Sequence, residues 1–192
     1  MLAFIFIISL LIGGLFLYKY FNYHKGSLGE QKTRDTLQNL PDSYSLINDL
    51  KLPNSYGNID HIVLGGNGIF VIETKNFKEE ISCNGERWYQ YKKKWETGRK
   101  SEIKSPSKQV KRNAVNLKNY IYSKNVFSKS LRLWIEGIVV FSDENVILDR
   151  NNPTVPVFKV NQLCNYIKNK ESNVKFSTLE LEKVARILLE NV

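Results

Sequence analysis

The chain has 192 residues, enough for one ordinary domain with a full core plus a short extra segment. Two cysteines, Cys83 and Cys164, exclude a disulfide framework and lack the spacing of a metal site, which leaves them as free buried thiols in a reducing compartment. The net charge of +9 favours a polyanionic partner, either nucleic acid or an anionic membrane surface.

The extra segment is at the N-terminus. Leu2 to Tyr18 carries no charge and is mostly Leu, Ile and Phe. As a helix it would extend roughly 26 Å, close to the hydrocarbon thickness of a bilayer. A cleaved signal peptide would want a basic region before the run and a small-x-small site after it, and neither is present. Tyrosines and lysines follow instead, from Tyr18 to Lys25, as at a cytoplasmic interface. Residues 1–24 therefore read as an uncleaved transmembrane anchor and 25–192 as one cytoplasmic domain, with no repeats and no further boundary.

After the anchor, Gly26 to Leu40 reads as a weakly amphipathic helix ended by Pro41-Asp42-Ser43. A strand at Tyr44 to Leu50 and a turn around Pro53 to Gly57 follow. Ile59 to Lys75 reads as two antiparallel strands around a glycine-rich turn at Gly66-Asn67. That register sets Leu64 opposite Ile69, Ile62 opposite Val71 and Asp60 opposite Glu73. Opposed carboxylates share a face with β-carbons roughly 5 Å apart and repel unless a cation sits between them. Lys75 falls on the same face, roughly 7 Å along the strand, beside any such metal. His61 points the other way and reads as structural.

A second hairpin flanks Asn84-Gly85, a dipeptide suited to both positive-φ positions of a tight turn. Arg87 to Arg112 then carries ten Lys or Arg against two Glu, so the excess charge is a patch. Trp88, Tyr89, Tyr91 and Trp95 interleave with Arg87, Lys92, Lys93 and Lys94, a mixture that stacks bases and holds phosphates or, for Trp88 above all, joins the core. Ser105 to Ser123 is the clearest helix: Ser105 caps it, Pro106 takes its first position, and Val110, Ala114, Leu117 and Ile121 share a face. Buried strands are expected at Trp134 to Phe141 and Val155 to Val160. Two helices close the chain, the last with the capping box Ser177 to Glu180 and Leu181, Val184 and Leu188 facing inward. The order of elements argues for a mixed α/β sheet flanked by helices.

With Asp60, Glu73-x-Lys75 and a helix on either side of the strands, the chain resembles the nuclease-related domain family, a branch of the restriction-endonuclease-like PD-(D/E)xK nucleases. The resemblance covers roughly Gly26 to Phe141 and is carried best by Ile59-Asp60-His61-Ile62-Val63 and Gly68 to Asn76. Gly29-Glu30 and Ser105-Pro106-x-x-Gln109 also fit, with Ser105 where Asn is more usual; both cap helices well. The Pro that precedes the Asp in the wider superfamily is replaced by Ile59. The resemblance implies a restriction-endonuclease-like fold and a metal-dependent nuclease core. It makes Asp60 and Glu73 ligands of Mg (or Mn) and Lys75 the assistant of the attacking water, with Glu30 and Gln109 completing the site.

Plainer readings exist for each residue. Glu73 and Lys75 alone would be a solvated stripe, but Asp60 shares their face in an otherwise apolar hairpin. Glu30 and Gln109 also suit exposed helix positions. Lys92, Lys93, Lys94 and Arg87, together with Lys108, Lys111 and Arg112, are expected to form a basic rim beside the site. The leading expectation is a membrane-anchored nuclease acting on DNA more than RNA. The alternatives are a non-catalytic module tethering nucleic acid or a partner at the membrane, and a basic patch that touches only lipid. Protease added to intact cells is expected to leave the domain untouched; mature protein recovered outside the cell without its first twenty or so residues would overturn the anchor.

Overall fold

The computed structural model describes residues 17, 20, 24–92, 98–127 and 133–190. Apart from Leu17, the expected anchor run lies outside them, as do Lys93, Lys94 and Trp95. Among the described residues no helix is long and apolar enough to cross a membrane.

The domain's first helix, α1, is described over 24–37. Three antiparallel strands follow, β1 (Ser45–Leu50), β2 (Ile59–Gly65) and β3 (Gly68–Lys75). Next come β4 (Glu80–Asn84), β5 (Arg87–Lys92), β6 (Arg99–Ile103) and helix α2 (Pro106–Ser123). The chain continues through β7 (Ile135–Phe141), β8 (Ile147–Asn151), β9 (Val157–Lys159), α3 (Val160–Asn169) and α4 (Thr178–Leu189). The fold is mixed α/β, but with two sheets where one was expected. The first has the order β1-β2-β3-β7-β9 and the second β6-β5-β4-β8, and each contains both parallel and antiparallel pairs.

The second sheet arises because β6 and β8 carry no apolar alternation. Arg99-Lys100-Ser101-Glu102-Ile103 is largely exposed and is a strand through its ladder to β5; β8 is held the same way by β4. Such polar edge strands are invisible to periodicity and keep an open edge from pairing with other chains. The turn before β5 also differs from expectation. Asn84 pairs with Arg87, so Gly85 and Glu86 form the turn, and of these only Gly85 has positive φ, at 60°. One glycine at the first central position is the pattern of a type II′ turn.

The first sheet is covered on both faces. Val63, Phe70, Ile72, Ile138 and Val140 pack with Leu37 of α1 and Val160, Leu163 and Ile167 of α3. On the other face Ile62, Leu64, Ile69, Val71 and Val139 meet Val110, Leu117 and Ile121 of α2, Val184 and Leu188 of α4, and Ile81, Cys83 and Trp88 of the second sheet. Burial on both sides explains why β3 and β7 read as continuous apolar runs. Ser105 accepts from the Lys108 N–H and Ser177 from the Glu180 N–H, so both expected caps form. Trp88 is core, its indole N–H donating to Ser107 Oγ at 3.1 Å. Cys83 is buried and Cys164 half-buried, and both are free.

Gly29 sets how closely α1 approaches the sheet. A β-carbon there would lie 2.7 Å from Asn76 Cβ and 2.9 Å from Ser142 Oγ, closer than atoms pack. Gly→Ala inside a helix ordinarily gains about 1 kcal/mol, whereas overpacking costs about 1–3 kcal/mol. Gly29→Ala is therefore expected to destabilise the domain by on the order of 1 kcal/mol, lowering the thermal midpoint by a few degrees. A raised midpoint would mean that α1 swings freely away.

Candidate active site

The expected register of the central hairpin is present: Leu64 pairs with Ile69 and Ile62 with Val71. The ladder ends at His61 and Ile72, so Asp60 and Glu73 lie just beyond its last pair. There the Asp60 carboxylate replaces the missing strand partner: its Oδ2 accepts the Thr74 backbone N–H at 2.7 Å. Glu73 is only 1% exposed at the end of an apolar strand, and Lys75 Nζ donates to its Oε1 at 2.6 Å. Gln109 Oε1, from the first turns of α2, lies 3.4 Å from the same Lys75 Nζ. The other oxygen of Glu73, Oε2, is buried without a hydrogen-bond partner.

Glu30 reaches this place from α1, which covers the opposite face of the sheet. Its approach is fixed by contacts along that helix: Thr74 Oγ1 meets Thr33 Oγ1 at 3.2 Å, and Thr33 in turn donates to the Gly29 carbonyl at 3.1 Å. Asn76 Nδ2 donates to the Lys25 carbonyl at 2.7 Å. The result is an open cavity of about 370 Å³ lined by Glu30, Asp60, Glu73, Lys75 and Gln109 together. Gly26 and Thr74 also line it, with Lys25, Asn76 and Phe77. Sequence reasoning missed these last three, although Asn76 sits directly after the Glu73-x-Lys75 pair.

Burial and mutual repulsion hold the carboxylates back from ionising. Burial is the main cause at Asp60, followed by the charges of Glu73 and Glu30, and together they push its pKa from 3.8 up to about 8 against the opposing Thr74 N–H. Burial also raises Glu73, with Lys75 opposing, and it raises Glu30, helped by Asp49. Among the described residues no three acidic, His or Cys side chains converge as a group ready to hold a metal ion. The two expected ligands, Asp60 and Glu73, nonetheless offer hard oxygen donors of the kind a divalent cation takes, and one of them, Glu73 Oε2, is an orphaned buried atom.

His61 lies on the face away from Asp60. It is buried, its Nδ1 is 2.7 Å from Asn48 Oδ1, and desolvation lowers its pKa to about 4.

The expected basic rim divides. Lys111 and Lys108 both turn to Glu86, at 2.7 and 3.8 Å, on a different flank of α2 from Gln109. The charge count that began at Arg87 left out the glutamate directly before it. Arg112 is exposed, and its charge is felt at Glu73. Arg87 and Lys92 are exposed on β5. Tyr89 and Tyr91 lie under Lys100, 4.1 and 5.4 Å from the ring centroids, and flank Glu80 and Glu102 in the ladders. That outer face of the second sheet is mixed in charge, so the tyrosines are not part of a basic surface around the cavity.

These shifts dictate a pH dependence. Between pH 3.8 and about 8 the metal-free fold keeps a proton on Asp60 that the unfolded chain releases, so stability falls as pH rises through that range. His61 acts oppositely between about 4 and 6.5, where the unfolded chain binds the extra proton. The two offset each other below pH 6.5, and the carboxylates act alone above it. Thermal denaturation in chelator is expected to show a falling midpoint from pH 6.5 to 8. Asp60→Asn should flatten that fall; an equally steep fall in the variant would refute the assignment.

A family profile described as nuclease-related domain matches residues 25–142. An uncharacterized protein of Bacillus anthracis is 39% identical over 72 residues, which is 34% of each chain. The chain thus spans about a third of that relative's length. No solved structure gives a significant match. The matched segment runs from the start of α1 through β7 and contains every residue that lines the cavity, so the chain belongs to the nuclease-related domain family.

Proposed function

We propose that the protein is a membrane-anchored, Mg- or Mn-dependent nuclease of restriction-endonuclease-like fold that hydrolyses phosphodiester bonds in nucleic acid, DNA more than RNA. The observation that carries this reading is Glu73: a carboxylate at the end of an apolar strand, with one oxygen on Lys75 and the other orphaned, beside Asp60 in an open cavity. A structural ion pair would not need a second carboxylate whose pKa is driven up by its own burial and then by the first. The antiparallel β1-β2-β3 unit, its helical flanks and the parallel partner β7 support the fold assignment. The anchor rests on the uncharged run Leu2 to Tyr18, with the domain in the cytoplasm because the lysines follow the run.

Asp60 and Glu73 would hold the cation, with Glu30 beside them. When bound, it neutralises charge on the phosphoryl oxygens and makes a nucleophile of water at neutral pH. The chain supplies the rest. Lys75 donates to the attacking water or to the oxygen on which charge develops, and Gln109 keeps its ammonium aimed into the cavity. The Thr74 N–H holds the Asp60 carboxylate in place. In the metal-free protein Lys75 is the counter-charge of Glu73, so it stands in part where the cation's charge would act.

A non-catalytic, nucleic-acid-tethering module is the second reading, favoured by the closed Glu73–Lys75 pair. Cleavage by the full chain in neutral detergent, with Mg or Mn and single- and double-stranded DNA and RNA, separates the two. Glu73→Gln and Asp60→Asn are expected to lower divalent-metal affinity and to cut turnover by roughly 10²-fold or more. Lys75→Ala is expected to reduce turnover while metal affinity stays within a few-fold of the parent. Equal cleavage by Glu73→Gln and the parent at saturating Mg sinks the nuclease reading.

A further inference from the structure

The floor of the cavity is acidic, and its lysine is already engaged. Glu30, Asp60 and Glu73 line it, and Lys75 is bonded to Glu73, so the floor offers an approaching polyanion no free cation. Cations elsewhere must therefore hold it. Lys108 and Lys111 are tied to Glu86. Among the described residues, Lys25 and Arg112 stand on the banks. Arg112 stands one turn after Gln109 on α2, and residues three apart share a helix face. Gln109 reaches Lys75, so Arg112 rises on the flank of α2 that borders the cavity, and its charge is felt at Glu73. Across the cavity Lys25 lines the wall from the start of α1, fixed there by the Asn76 bond to its carbonyl. Neither Lys25 nor Arg112 forms an ion pair among the described residues.

We propose that Lys25 and Arg112 hold backbone phosphates on either side of the bond to be cleaved, so that one nucleic-acid strand crosses the cavity from α1 to α2 above the carboxylates. The inference rests on the nuclease reading and adds the path of the substrate. The sequence places Lys25 among the interfacial lysines after the apolar run, because nothing local separates it from them.

The test is anisotropy of a fluorescent single-stranded DNA oligonucleotide with the full chain in neutral detergent and chelator, titrated with salt. Each phosphate contact on a single strand contributes about 0.7 to the slope of log affinity against log salt. Lys25→Ala and Arg112→Ala should each weaken binding and lower the slope by about 0.7, and the double variant by about 1.4. Arg112→Lys should restore the slope. Lys118→Ala, on another flank of α2, should leave it unchanged. Circular dichroism of each variant excludes unfolding as the cause. Parent binding with unaltered slopes in both alanine variants overturns this inference alone. A parent that binds no strand at low salt overturns the nuclease reading and this inference with it. If Lys25→Ala weakens binding only to phosphatidylserine vesicles, Lys25 is a headgroup contact and the proposed path is wrong.

Discussion

Burying Glu73 at the end of β3 creates a desolvation penalty that much of the surrounding architecture serves to meet. A carboxylate taken out of water costs several kcal/mol unless it is paired and hydrogen-bonded. Here one oxygen takes the Lys75 ammonium, itself held toward the site by Gln109, and the other stays unpartnered. Asp60 compounds the cost by placing a second carboxyl beside the first, and burial followed by the charge of Glu73 raises its pKa. Nothing in the packing of the sheet calls for this arrangement, since neighbouring positions on that face of β2 and β3 are apolar and fully buried. Burial, with the neighbouring carboxylates, holds the proton affinity of both groups high inside an open cavity.

The same place explains why the two helices sit where they do. The close approach at Gly29 and the Thr33–Thr74 contact pin α1 over the strand end, which lets Glu30 come round from the far face. Helix α2 starts at a serine cap and a proline, so Gln109 falls in its first turns, level with the end of β3. Each helix thus brings one polar side chain to a sheet edge that has two carboxylates of its own. Lys25 of α1 also lines the cavity, and the charge of Arg112 on α2 is felt at Glu73.

Formal charge and usable charge part company in this domain. The basic stretch from Arg87 to Arg112 looks continuous in sequence, yet its described residues form strand β5, the edge strand β6 and the start of helix α2, and their basic side chains meet different partners. Glu86 takes Lys108 and Lys111, and Lys100 sits over two tyrosines. The field that a polyanion meets at the cavity depends on the charges left unpaired on the flanks facing it, and these are fewer than the net charge implies.

Much of the molecule was legible without its fold. The hairpin register followed from β-branched runs around a glycine turn, and it put Asp60, Glu73 and Lys75 on one face. The caps at Ser105 and Ser177 bounded α2 and α4 through local hydrogen-bond chemistry that needs only neighbouring residues. Strands β6 and β8 were illegible because their pairing depends on a neighbour's backbone and not on apolar alternation. The positions of Glu30 and Lys25 were equally hidden: both lie on a helix whose placement is decided by Gly29, Asn76 and Ser142, residues up to a hundred and more apart along the chain. Local sequence determined which side chains a strand face or a helix face presents, because those periods are set by backbone geometry alone. Only the tertiary structure decided which faces meet, which lysines pair with Glu86, and which carboxylates share one cavity, because those outcomes depend on contacts between distant segments.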